Sequence, residues 1–328
     1  MSKDSSSDII ISVDAGASEI RSVLFDYNGK TIGFKVEKKG ANLVVNGRDG
    51  ILRIISLMKE LLSDNGLSFD SVDLVSIGVA GLRDDETRLD FFKKLDEMNI
   101  GSKSHLSSDV APIFEINCPD PGSVLVNVGT GAILVGRSID GSMVKVAGEG
   151  HDKDLGSGYW MGKEVFLKLS GLEREKFSRA DIEEVLELVE NHFGESDLSI
   201  LLDSIMKSDD SVREIASISK FLIELAESKN ELALSIVQES TSHVSNYLLS
   251  LLDMIEYDSF DLVAISNGSV INNKFYLSSL NDALSFDLGN IKWLSPSIST
   301  AYYPGLLSSR IKGSEVLITD IVSGEYVV

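Results

Sequence analysis

Two turns made of small residues follow apolar, strand-like runs, one near the start of the chain and one near its middle. The first turn, DAGAS at residues 14–18, follows the run at 9–13, and the second, GTG at residues 129–131, follows the run at 123–128. Small residues let backbone N–H groups approach an anion closely, and the hydroxyl in each turn adds a donor. The pair of turns predicts that the chain grips a triphosphate from two sides.

Two carboxylates accompany these turns. Asp14 ends the first apolar run, and Mg²⁺ takes oxygen ligands from a carboxylate together with phosphates. Asp109 follows a predicted strand at about 103–106 and could accept the proton of a hydroxyl during phosphoryl transfer. Each has a structural alternative: Asp14 could cap its own turn, and Asp109 could be the N-cap of a helix that begins at Val110.

The elements that must position these residues occur twice. From residues 9 and 123 the chain reads strand, small-residue turn, strand, Asn-Gly or Asp-Gly hairpin, strand. The repeat predicts an α/β fold of two related domains, 1–118 and 119–328, with a largely helical region at about 158–257 in the second. Near the end of the chain, the pattern predicts a helix at about 304–311 and a strand pair within 315–328.

Composition narrows the classes of function. The 328 residues carry a formal charge of −21, which disfavours nucleic acid and anionic membranes as partners. With Cys118 as the one cysteine and four scattered histidines, the sequence predicts neither disulfides nor a Cys- or His-based metal site, and a cytoplasmic location is the default. Because the chain is so acidic, a nucleotide site would need local cations or Mg²⁺.

The order of these motifs resembles the BadF/BadG/BcrA/BcrD ATPase family, which includes N-acetylglucosamine kinases and belongs to the actin, hexokinase and heat-shock chaperone superfamily. The strongest match is GSGYW at residues 156–160, within GEGHDKDLGSGYWMG. The resemblance implies two actin-like (ribonuclease H-like) ATPase domains around a central cleft, with ATP and Mg²⁺ as cofactors. It implies transfer of a phosphoryl group to a small sugar or sugar acid.

The resemblance also assigns roles to particular positions. The first phosphate motif has two glycines replaced by alanine and its threonine by serine, whereas the second matches closely. Asp109 falls at the position of the catalytic aspartate, and Asp14 at that of the metal residue. The implied nucleotide contacts are Asp14, Gly16, Ala17, Ser18, Gly129, Thr130, Gly131, Gly268 and Ser269. The implied substrate contacts are Asn42, Gly81, Asp109, His151, Lys153 and Asp154.

The loop before GSGYW departs from the family pattern. Glu149 replaces a tryptophan, and the loop gains His151 and Lys153. A cationic pair would suit a carboxylate-bearing acceptor, so the sequence favours 2-keto-3-deoxygluconate, with N-acetylglucosamine or another amino sugar or hexose as the alternative. The cations could instead be solvated or paired with Asp152 and Asp154.

Two other classes of protein remain to be weighed. A redox activator with an iron–sulfur cluster needs cysteine thiolates that this chain lacks. A regulatory protein that binds ATP without catalysis is compatible with the altered first motif, although Asp14, Asp109 and Thr130 are all retained. The helical region is a candidate surface for a homodimer.

Overall fold

The computed structural model describes residues 8–208 and 210–321, with the backbone alone for residues 172 and 173. Contacts divide the chain into two compact units. Unit 1 contains the chain up to Asn117 and again from Pro296 onward, and unit 2 contains Cys118–Ser295. The strands and helices in chain order are β1 (Ile9–Ala15), β2 (Ile20–Asp26), β3 (Thr31–Glu37), α1 (Leu43–Asp64), β4 (Leu74–Val79), α2 (Asp85–Asp96), β5 (Ser104–Ser107), α3 (Val110–Asn117), β6 (Val124–Val128), β7 (Ala132–Arg137), β8 (Met143–Ala147), α4 (Gly158–Ser170), α5 (Arg179–Phe193), α6 (Leu198–Met206), α7 (Ser211–Ser217), α8 (Ser219–Glu227), α9 (Glu231–Met254), β9 (Leu262–Asn267), α10 (Lys274–Leu284), β10 (Ile291–Leu294) and α11 (Tyr303–Lys312).

Each unit is built on a five-stranded mixed sheet. The strand order in unit 1 is β3-β2-β1-β4-β5, and in unit 2 it is β10-β9-β6-β7-β8. In both, a three-stranded antiparallel meander is followed by two parallel strands. The central strands β1 and β4 are buried on both faces, which explains why they read as continuous apolar runs. The predicted α/β fold with a repeated strand unit is confirmed.

The predicted helical region of unit 2 is also confirmed. Helices α4 to α9 run between β8 and β9, and the 24-residue α9 packs against β7 and β8. The side chain of Asn230 caps α9 by accepting from the backbone N–H of Ala233, which fixes where that helix begins. No helix among the described residues is long and apolar enough to cross a bilayer.

The last part of the chain differs from its prediction. The domain division at residue 118 assigned everything after it to the second domain, whereas the segment from Pro296 packs in unit 1. The cause is α11, whose Gly305 lies against Ser12 and Phe25 of the unit 1 sheet with no room for a side chain. The predicted strand pair is not seen in residues 315–321, which hold a short 3₁₀ turn, and its remainder lies outside the described residues.

Candidate functional site

The two carboxylates of unit 1 lie at one edge of its sheet. Strands β1, β4 and β5 are parallel, and the register places Asp14 beside Gly78, and Gly78 beside Ser107. Asp109 follows two residues after Ser107, so the carboxyl ends of these strands bring both aspartates to the same edge. Burial, and then the negative charge of Asp14, raises the pKa of Asp109. The order of strands therefore places both candidate carboxylates at one edge of the sheet.

Asp14 is held by side chains from distant parts of unit 1. Thr300, in a 3₁₀ turn before α11, donates its hydroxyl to Asp14 Oδ2. Arg21 Nη1 lies 3.8 Å from the same oxygen and donates to Thr300 Oγ1 at 3.1 Å. Arg21 is also paired with Glu19, which accepts from Lys38 Nζ at 3.1 Å. This network orients one oxygen of Asp14.

Burial raises the pKa of both carboxyl groups. Burial raises the pKa of Asp14, opposed by the Thr300 hydrogen bond and the charge of Arg21. Burial, with the Asp14 charge second, raises the pKa of Asp109 to about 7, although its own backbone N–H and that of Val110 oppose the shift. A carboxyl with a pKa near neutrality is suited to exchange a proton at physiological pH. Val110 is the first residue of α3, and the side chain that accepts from the second residue, Ala111, is that of Ser108, at 3.3 Å. The catalytic and capping roles of Asp109 both stay predictions.

The first small-residue turn is packed against the segment that carries Asn42. Gly16 accepts from the backbone N–H of Ala41 at 2.9 Å, and a Cβ on Gly40 would lie 2.0 Å from the carbonyl oxygen of Ala17. Ser18 lies in the same turn before β2. The chain thus joins Gly16, Ala17 and Ser18 directly to the candidate substrate segment.

Asn42 and Gly81 meet, as a shared substrate role requires. Asn42 is the N-cap of α1, its Oδ1 accepts from Val44 N at 3.0 Å, and α1 is kinked at Gly47. Gly81 has φ of +78°, and a Cβ there would lie 2.4 Å from Asn42 Oδ1 and 2.8 Å from Val44 N. Helix α1 therefore begins at Leu43 with an irregular turn that precedes the kink at Gly47.

Replacing Gly81 by alanine should displace Asn42. We expect Gly81→Ala to raise the KM for the acceptor about 10-fold, with a smaller change in kcat, since the clash falls on the Asn42 turn. The matched control is Gly66→Ala, because Gly66 also has a positive φ (+67°) but has nothing within 4 Å of its added Cβ. Equal acceptor KM values in the two variants would remove Asn42 from the substrate site.

In unit 2, the second small-residue turn is joined to the start of α4. Gly129 accepts from Gly158 N at 2.8 Å, and Thr130 accepts from Tyr159 N at 3.1 Å. A Cβ on Gly158 would lie 2.8 Å from the carbonyl oxygen of Gly129. The GSGYW motif therefore has a structural reason for its glycine: it lets the N-terminus of a helix approach the turn, where anions are bound favourably.

The turn after β9 lies against the same place. Gly268 has φ of +106°, and a Cβ there would lie 2.4 Å from the carbonyl oxygen of Val128. Ser269 N is 3.8 Å from the position of a Cβ on Gly129. The structure thus brings Gly129, Gly268 and Ser269 together within unit 2, at the carboxyl ends of the parallel strands β6 and β9.

The loop at residues 149–155 places its three candidates differently. Asp154 is 5% exposed; its Oδ1 accepts from the backbone of Glu149 and Gly150, and its Oδ2 would lie 3.2 Å from a Cβ on Gly131. Lys153 instead pairs with Glu149 at 3.2 Å on the surface. His151 lies 3.2 Å from Asp152 and packs edge-on against Tyr159. Both side chains thus lie beside a carboxylate of their own loop, although Lys153 pairs with Glu149 rather than with Asp152 or Asp154, the partners that the sequence suggested.

These residues fit the cofactors that the resemblance implies. Gly131, Gly158 and Gly268 each stand where a Cβ would meet a neighbour within 3.2 Å, so in unit 2 the backbone packs closely around the second small-residue turn. In unit 1, a cation at Asp14 would offset the cost of ionising two neighbouring carboxyls. Among the described residues, no three His, Cys, Asp or Glu side chains cluster as a metal site. A cation at Asp14 would therefore need further oxygen ligands such as phosphates.

Several residues of this site were not predicted from the sequence. Thr300 and Arg21 hold Asp14, and Asn267 Nδ2 donates to Asn127 Oδ1 at 2.7 Å across the ends of β9 and β6. Asn127 and Asn267 lie at the ends of two strands, and this position could have indicated that they meet. Nothing near Thr300 in the sequence indicates that it meets Asp14, which is 286 residues away.

The fold is that of the actin-like ATPase class to which sugar kinases belong. The structure of a Chromobacterium violaceum protein, provisionally named an N-acetylglucosamine kinase, superposes with a TM-score of 0.68 at 16% identity, covering 92% of this chain and 99% of that one. The ROK family glucokinase from Streptomyces griseus, solved with glucose and AMPPNP, superposes with a TM-score of 0.54 at 14% identity, covering 88% and 94%. At these identities the likeness shows the fold alone.

One curated relative extends the likeness to sequence. The chain is 23% identical over 301 residues to the N-acetylmuramic acid/N-acetylglucosamine kinase of Clostridium acetobutylicum, an alignment that covers 89% of this chain and 95% of that enzyme. No protein-family model matches the chain. The resemblance to the BadF/BadG/BcrA/BcrD family therefore stays a prediction.

Proposed function

We propose that the protein is an ATP-dependent kinase that phosphorylates a hydroxyl of an N-acetylated amino sugar. The observation that carries the proposal is the pair of carboxylates at one sheet edge, with the pKa of Asp109 near 7. The relative from Clostridium acetobutylicum, which acts on N-acetylmuramic acid and N-acetylglucosamine by its name, supports this class of acceptor.

Each group has a role in the proposed reaction. ATP would supply the phosphoryl group, and Mg²⁺ bound with it would supply positive charge that offsets the negative charge of the phosphate oxygens. Asp14 would hold the cation, with Thr300 fixing the orientation of its carboxylate. Asp109 would take the proton from the acceptor hydroxyl, and Asn42 would hold the sugar. In unit 2, the turns at Gly129–Gly131 and Gly268–Ser269 would hold the nucleotide, close to Asp154.

The favoured acceptor differs from 2-keto-3-deoxygluconate, the acceptor first suggested by the loop cations. That interpretation needed the positive charges of His151 and Lys153 to face a carboxylate. Both are next to carboxylates of their own loop, at 3.2 Å in each case. An exposed pair of this kind leaves little net positive potential for a substrate. The amino-sugar alternative needs no such charge.

An ADP-release assay with Mg-ATP tests the proposal. The acceptors would be N-acetylglucosamine, N-acetylmuramic acid, glucosamine, glucose and 2-keto-3-deoxygluconate. We expect kcat/KM for an N-acetylated sugar to exceed that for glucose by at least ~10-fold, because a site that binds a polar substituent discriminates against sugars that lack it. Selective turnover of 2-keto-3-deoxygluconate would overturn the acceptor class. Nucleotide binding without turnover of any acceptor would favour a regulatory protein.

A further inference from the structure

A cavity in unit 1 lies at the opposite edge of the sheet from the two carboxylates. It has a volume of about 540 Å³ and opens at the amino ends of β4 and β5. Its charged lining residues are Asp70, Asp73, Lys103 and Lys312, and its other polar lining residues are Ser102, Ser104, His105 and Ser308. None of them has a role in the proposed reaction.

Lys103 provides the cavity with a positive charge. Its Nζ donates to the carbonyl oxygens of Phe69 and Val72, each at 2.7 Å. Carbonyl oxygens orient an ammonium group without neutralising it, and two such bonds leave the third N–H for a ligand. In a chain with a net charge of −21, a lysine fixed by carbonyls at the wall of a cavity is well placed to receive an anion.

The remaining polar groups suit a ligand that also carries hydroxyls. Lys312 is paired with Asp73, so neither contributes much net charge. Asp70 is exposed at the wall and can accept from hydroxyls, and Ser102 is exposed beside it. Burial, and then the charge of Arg88, lowers the pKa of His105, which disfavours its charged form. Among the residues that the structure describes, no Phe, Tyr or Trp side chain lines the cavity, so none of them offers a stacking surface for a nucleotide base.

We propose that this cavity is a regulatory site for a phosphorylated sugar, with the phosphate bound by Lys103 and Ser102 and the sugar hydroxyls by Asp70. A phosphorylated sugar is the class of product that the proposed kinase would release. The binding site stands on the cavity alone, whereas its regulatory effect rests on the proposed function.

Helix α11 connects the cavity to Asp14. Near its middle, Ser308 lines the cavity, lies 2.9 Å from His105 Nδ1 and 2.5 Å from Ser76 Oγ, and is 3% exposed. At its N-terminal end, Gly305 donates to Ser12 Oγ at 2.8 Å, and the turn just before the helix carries Thr300. Because a helix of this length moves as one body, a ligand that displaces Ser308 would also displace Thr300 from Asp14.

Calorimetric titration with N-acetylglucosamine 6-phosphate tests the site without requiring kinase activity. We expect wild-type protein and Lys93→Met to bind it alike, since Lys93 is an exposed lysine of α2 paired with Asp90. Lys103→Met should weaken binding at least 10-fold. Ser102→Asp, which removes no internal contact of Lys103, should do the same by placing a carboxylate where the phosphate would bind. Gly81→Ala should bind it as the wild type does, because Gly81 packs against the Asn42 turn and does not line this cavity.

Four results would overturn the proposal. Absence of binding, or binding unaffected by Lys103→Met and Ser102→Asp, would remove the site. Equal affinity for inorganic phosphate would remove the role of the sugar. For regulation, saturating phosphorylated sugar should weaken Mg-ATP binding by at least ~5-fold in wild-type protein and leave it unchanged in Ser102→Asp. Equal Mg-ATP affinity with and without the phosphorylated sugar would overturn the regulatory role.

Discussion

Asp109→Asn is expected to lower kcat by ~10²–10⁴ while Mg-ATP binds with nearly unchanged affinity. An amide cannot accept the proton of the acceptor hydroxyl, yet it keeps the size of the carboxyl and does not touch the candidate nucleotide turns. Steady-state kinetics and calorimetric titration with Mg-ATP measure the two quantities separately. Asp90→Asn is the control, since Asp90 is an exposed carboxylate on α2. Near-normal turnover in Asp109→Asn would remove Asp109 from the mechanism.

The same variant should be more stable than the wild type, and the gain should depend on pH. The pKa of Asp109 is raised from 3.8 to about 7, chiefly by burial. Between these values the folded state keeps a proton that the unfolded chain releases, so the free energy of unfolding falls as pH rises through this window. Asp109→Asn removes this fall in the free energy of unfolding because the amide does not ionise. We expect its Tm advantage to be small near pH 4 and to reach roughly 2–6 °C at pH 8, allowing for solvent screening.

A loss of activity combined with a gain in stability separates catalysis from folding. A residue kept only as a helix cap would show the opposite, because removing a cap destabilises a protein by ~0.5–2 kcal/mol. Asn is itself a good N-cap residue, so Asp109→Ala adds a second comparison. If capping were the whole role of Asp109, Asp109→Ala would lose stability at every pH and keep its turnover.

Much of unit 1's chemistry could be predicted from the sequence because it lies at strand ends. Asp14 ends an apolar run, and Asp109 follows two residues after another strand. Parallel strands place such residues at one edge, which is a property of the topology rather than of any distant contact. The same logic predicted the glycine turns at Gly129 and Gly268.

The contacts that could not be predicted are those made by distant segments and by local charge pairs. Thr300 reaches Asp14 because α11 returns to unit 1, and α11 does so through buried small residues such as Gly305. Neither Thr300 nor Gly305 lies in a local sequence pattern that specifies its partner. The strand β10 was also missed, since its four residues alternate only between partial burial and exposure. For Lys153, sequence alone could not decide between a substrate and Glu149.

Replacing Asp14 should change both the rate of the reaction and its dependence on pH. Asp14→Asn should lower kcat/KM by ~10²–10³, because the amide would hold a divalent cation poorly next to a carboxyl that itself resists ionisation. It should also move the acidic limb of the pH profile of kcat/KM to lower pH. The charge of Asp14 helps to raise the pKa of Asp109, so removing that charge lets Asp109 ionise more readily. The profile over pH 5–9 measures both effects.

Two further variants separate the charge of Asp14 from its orientation. Glu19→Gln removes a neighbouring carboxylate that is paired with Arg21 and Lys38, and we expect kcat/KM to change by less than ~5-fold. Thr300→Val keeps the charge but removes the hydroxyl that holds it, so the loss in kcat/KM should lie between those of Glu19→Gln and Asp14→Asn. Because Asp109 would still face a negative neighbour in Thr300→Val, the acidic limb should stay near its wild-type pH. A limb that moved as far in Glu19→Gln as in Asp14→Asn would show that the general charge of the turn, rather than Asp14, sets the pKa of Asp109.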